Sequence, residues 1–159
     1  MGLKSGLSLV AIGLAICAAS LVFAIPSVLA SDHQALNGTW RLIPARSELG
    51  GEPAVQTGSV TISDRQRNVY VSRDFTYDGD RVTVSTNFST DGPENSSIRQ
   101  GASFKSKAKW EGKELRVTST RDNITSTERY SLSGDGTLML VVERPGHRTI
   151  TLFFERQPS

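Results

Sequence analysis

The chain is 159 residues long with a formal net charge of +2, and both figures average over two unlike pieces. Residues 1–30 hold 21 of the 59 apolar residues, one charge at Lys4 and the only cysteine, Cys17, whereas residues 31–159 carry 38 apolar residues in 129 and seventeen basic against sixteen acidic side chains. The near-neutral body argues against a phosphate-driven nucleic-acid binder and has no cysteine for a disulfide, thiol nucleophile or cysteine zinc site, while its thirty-three large apolar residues suffice for one core.

In chain order, Met1 to Gly6 with Lys4 makes a short positive start, and Leu7 to Ala24 is an almost unbroken apolar run. Val28-Leu29-Ala30 then offers small residues where a signal peptidase reads, if cleavage falls before Ser31. The segment predicts a signal peptide over 1–30 and an exported protein, periplasmic or secreted. The alternative is an uncleaved membrane anchor, because the run approaches the roughly 18–20 residues that span a bilayer. Residues 31–35 form a polar tail.

Over 36–157, segments rich in Val, Ile, Thr, Phe and Tyr are separated by turn residues at short, fairly even intervals, the pattern of an antiparallel all-β domain. The spacing predicts strands near 36–43, 56–63, 68–76, 80–88, 101–110, 114–121, 124–133, 137–144 and 148–156. Between them lie turn chemistries such as Tyr77-Asp78-Gly79-Asp80, Arg121-Asp122-Asn123 and Gly134-Asp135-Gly136. Alternation supports the assignment: Phe104, Ser106, Ala108 and Trp110 share one face, and Lys105, Lys107 and Lys109 the other. No stretch sustains a helical period. Residues 44–53 and 87–100 read as two long loops, the second a candidate contact for a partner. Strands joined by consecutive hairpins close most economically as a single up-and-down barrel of about 8–10 strands, which removes exposed edges; a β-sandwich is the alternative. The apolar residues leave many inward positions to Thr, Ser and Arg, so the interior is expected to be partly polar, or well packed with little cavity.

The first strand opens with Asn37-Gly38-Thr39-Trp40. A Gly-x-Trp in that place, followed by a meander of hairpins, resembles the lipocalin-like, or calycin, superfamily. The resemblance implies that Gly38 lets the chain bend at the closed end, that Trp40 plugs it, and that Arg156, just after Phe153-Phe154-Glu155, packs across the indole. The fuller opening through Arg41-Leu42-Ile43-Pro44-Ala45-Arg46-Ser47 looks like the start of small exported bacterial proteins of uncertain role. The resemblance further implies a binding module for a small amphipathic or hydrophobic molecule. Candidate wall residues of that barrel are Phe104, Trp110, Leu115, Val117, Tyr130, Leu140, Leu152 and Phe154.

Enzymatic readings rank last. Ser106-Lys107-Ala108-Lys109 spells Ser-x-x-Lys, but on an alternating strand positions three apart point to opposite faces. His33 lies in the tail and His147 in a turn, neither near another His or Cys, so no metal site and no cofactor are expected. The lysine row could touch anionic envelope components weakly or simply keep an outer face soluble. A monomer with no catalytic activity is expected, either a ligand carrier or a cell-envelope interaction module with a filled core.

Overall fold

The computed structural model describes residues 32–49, 55–65, 67–99 and 101–158. The expected signal or anchor at 1–30 lies outside the described residues. Alternation of apolar and polar side chains makes strands of most of the rest: β1 (Gly38–Leu42), β2 (Val55–Arg65), β3 (Asn68–Tyr77), β4 (Asp80–Ser89), β5 (Asn95–Arg99), β6 (Ala102–Glu111), β7 (Glu114–Arg121), β8 (Ile124–Leu132), β9 (Leu138–Glu143) and β10 (Ile150–Arg156). All pairings are antiparallel and the spatial order is β4-β3-β2-β1-β10-β9-β8-β7-β6-β5. The first and last strands pair, Trp40 opposite Arg156, so a simple meander curls into the nearly closed up-and-down barrel that the sequence predicts.

Hairpin chemistry sets the registers. Asp78-Gly79 and Asp122-Asn123 both take positive φ at both central positions, 47° and 92° in the first and 50° and 65° in the second. That backbone twist matches the right-handed twist of the flanking strands. β1 leaves its ladder with β10 at a 3-10 turn, Pro44–Arg46, and the chain rejoins β10 where Glu48 bridges Thr151.

The stretch expected as a loop over 87–100 is different. β4 continues to Ser89, and Asn95–Arg99 forms β5, paired with β6. The apolar signal is missing there because Ile98, the only large apolar residue of β5, faces outward opposite Ser103 and is 80% exposed. β5 and β4 are the two edges of the sheet, and no ladder joins them. A side chain crosses the seam, where Asn95 donates an Nδ2 hydrogen to the Asn87 carbonyl at 2.7 Å.

Inward residues of one half of the barrel form a filled core. Trp40, Val69, Leu115, Tyr130, Leu138 and Phe154 are all fully buried there. Burying each such side chain contributes about 1.5–3 kcal/mol. A 3-10 turn, Asp32–Leu36, caps this end, with Leu36 buried and the His33 ring stacked flat on Trp110 at a centroid distance of 4.0 Å.

Candidate functional site: a cavity in the open half of the barrel

Register places the interior in layers. Leu152, Leu140, Tyr130, Leu115 and Trp110 lie opposite one another in one inward row across β10, β9, β8, β7 and β6. The next row toward the opposite end is Ile150, Val142, Glu128, Val117 and Ala108, and the one after that contains Ser126, Ser119, Ser106 and Asn95. Polarity therefore rises along the barrel axis. Small serines also occupy less volume than the Leu and Tyr of the first row, so the side chains cease to fill the interior.

A cavity of about 690 Å³ results. Its apolar wall includes Leu49, Phe75, Val82, Val84, Phe104, Leu140, Val142 and Leu152. Arg121, Asp122, Ile124, Arg144 and His147 line it from the hairpins of the open end. Arg121 pairs with Asp122 at 3.2 Å and lies 5.6 Å from the Phe104 ring centroid.

A charged bar crosses the interior among the lining residues. From β3, Arg73 Nη1 donates to Glu128 Oε1 on β8, and the Tyr130 hydroxyl donates to Glu128 Oε2 at 2.8 Å. Both charged side chains are largely out of water. Burial works against the Arg73 charge, but the attraction of Glu128 and its hydrogen bond more than offset it and raise the guanidinium pKa above its ordinary value. Burial pushes the Tyr130 phenol well above its usual range, which keeps it a neutral donor. Arg73 Nε is buried and has no hydrogen-bond partner. Tyr130 lies under this bar in the filled half, while Ser119 and Ser126 lie on the cavity side.

The closed end is built around Trp40. Its indole is fully buried and donates to the Leu36 carbonyl at 2.9 Å. The Arg156 guanidinium carbon stands 4.3 Å from the ring, and its two terminal nitrogens donate to the carbonyls of Asn37 and Ala35, each at 2.6 Å. Gly38 adopts φ +132°, and a Cβ there would lie 2.8 Å from Arg156 Nη1. Glycine is thus required both by the backbone and by the approach of the arginine.

Of the wall residues expected from sequence, Phe104, Leu140 and Leu152 line the cavity. Leu115, Val117, Tyr130 and Phe154 are packed in the core, and Trp110 is half-buried against His33 at the closed end. Sequence reasoning missed Arg73 and Glu128. A signal was present: Arg73 continues the inward series Val69, Val71 and Phe75, and Glu128 sits between Ser126 and Tyr130 on the inward face of β8. Each places a charge on the buried face of its strand, and the two charges are opposite.

No family model matches the sequence, and no curated protein does. Solved structures do match. The secretory abundant heat soluble protein 4 from Ramazzottius varieornatus superposes with a TM-score of 0.62 at 15% identity, over 79% of this chain and 96% of that one. The fluorescent protein UnaG gives 0.63 at 17% identity over 78% and 98%, and Echinococcus granulosus fatty-acid-binding protein 1 gives 0.62 at 12% over 79% and 99%. At such identities the likeness is one of fold. With Gly38-Thr39-Trp40 opening β1, Arg156 laid over the indole and a meander curled until β1 meets β10, the chain has the fold of the lipocalin-like, or calycin, β-barrels.

Proposed function

We propose that this protein is a non-enzymatic binding module that holds one small amphipathic or hydrophobic molecule in the open half of its barrel. The observation that carries this reading is the cavity of about 690 Å³, apolar along its wall and polar at its floor and mouth. That volume lies within the roughly 300–1,000 Å³ typical of small-molecule sites, and so does its pattern of an apolar lining with a few placed polar groups. A structural neighbour named as a fatty-acid-binding protein supports the same reading. Export is part of the proposal, on the strength of the apolar segment at 1–30 and the small residues before Ser31.

A titration with Nile red, an uncharged apolar dye, tests the binding function. The wild-type chain should show saturable fluorescence enhancement at one site. Val142→Trp, which places an indole in the cavity wall, should abolish it while leaving the far-ultraviolet circular dichroism unchanged. A wild-type protein that gives only linear, non-saturating enhancement would overturn the reading.

A further inference from the structure

The ion pair on the cavity floor narrows the chemistry of the ligand, given the binding function proposed above. Arg73 and Glu128 are 12% and 16% exposed, and their charges cancel. A carboxylate set beside them would be attracted by one and repelled by the other after losing its hydration, so the floor gives an anion no net electrostatic return. Unused hydrogen bonding is what the floor does offer. Arg73 lines the cavity and gives Glu128 one of its five guanidinium N–H donors, and each Glu128 oxygen accepts one hydrogen bond and retains a lone pair. A group that fits accepts from Arg73, donates to Glu128 and carries no charge.

We propose that the head of the ligand is an uncharged donor–acceptor group, a primary amide or an alcohol, seated on Arg73 and Glu128. Its hydrocarbon part runs past Phe75, Val82 and Ile150 toward the mouth.

The experiment is displacement of bound Nile red from the full chain at pH 8 by dodecanamide, methyl dodecanoate and dodecanoate. Dodecanamide should displace the dye at concentrations at least tenfold lower than either competitor. The methyl ester is the more apolar molecule and lacks a donor, so partition alone would favour it over the amide. Glu128→Gln leaves the Arg73 charge unbalanced, and in that variant dodecanoate should gain at least tenfold relative to dodecanamide. Should that variant not fold, Arg73→Met leaves Glu128 unbalanced and should favour dodecylammonium by the same factor. Wild-type protein that takes dodecanoate or the ester as tightly as the amide, with dye binding intact, overturns the head-group assignment and leaves the binding function standing. The same holds for a folded Glu128→Gln variant whose preference does not move. A wild-type chain that binds no Nile red saturably overturns both.

Discussion

Arg156 ends β10 with its guanidinium shared between two backbone carbonyls and the face of Trp40, so a single side chain ties the last strand to the segment that enters the first. Trp40→Ala removes the largest buried side chain of the closed end and should cost roughly 3–5 kcal/mol in urea unfolding. Gly38→Ala should also destabilise, by about 1–3 kcal/mol, because alanine must hold φ +132° and displace Arg156. The other demanding pair is Arg73 with Glu128. Arg73→Met strands a buried carboxylate and should cost roughly 3–5 kcal/mol, whereas Arg73→Met combined with Glu128→Leu should recover most of that loss. The two sites differed in legibility for a physical reason. Gly38 and Trp40 belong to one short motif and Arg156 to a strand end, so local sequence marks them; Arg73 and Glu128 stand 55 residues apart and only the curled sheet makes them neighbours.

Among the elements, β5 escaped sequence reasoning because an edge strand with polar inward positions carries no apolar alternation, while β6 through β10 were legible from theirs. The seam it forms with β4 has no ladder and is crossed by the Asn95 amide. Asn95→Ala should therefore raise amide hydrogen exchange along β4 and β5 severalfold while leaving β9 and β10 protected, since unpaired edges open locally at low free energy. The turn between β8 and β9 supplies a pH-dependent counterpart. Asp135 accepts hydrogen bonds from the Ser133 hydroxyl, from the Thr137 hydroxyl and amide, and from Arg46, and these hold its carboxyl well below the ordinary value of 3.8. A carboxyl that binds its proton less readily when folded stabilises the fold fully above that ordinary value, and the contribution is withdrawn as the pH falls below it. Asp135→Asn should accordingly flatten the acid limb of a stability profile between pH 4 and pH 2 and leave the slope above pH 5 unchanged.

At the scale of the molecule the barrel is two half-barrels in series, one filled and one hollow, divided by the Arg73–Glu128 bar. Alternation in the sequence identifies which face of a strand is inward, but depth along the axis depends on the stagger between strands. That is why eight inward residues could be named from sequence while only Phe104, Leu140 and Leu152 among them reach the cavity. The division separates two properties that are usually entangled. The buried side chains are concentrated where Trp40, Tyr130 and Phe154 interlock, and the cavity proposed for binding lies where Val82, Val84 and Val142 leave space. Trp40 is not part of the cavity lining, so Trp40→Ala should lower the urea midpoint sharply yet leave the Nile red Kd of the remaining folded protein within about threefold, an effect under roughly 1 kcal/mol. Val142→Trp should do the reverse, abolishing dye binding with little loss of stability. Binding in the wild type should in turn stabilise by about 2.7 kcal/mol at a ligand concentration 100 times Kd, raising the melting temperature, and Val142→Trp should show no such rise. If Trp40→Ala weakened dye binding as strongly as it weakened folding, the filled half would be acting as part of the site, and the bar between the two halves would not be the boundary between the supporting core and the binding cavity.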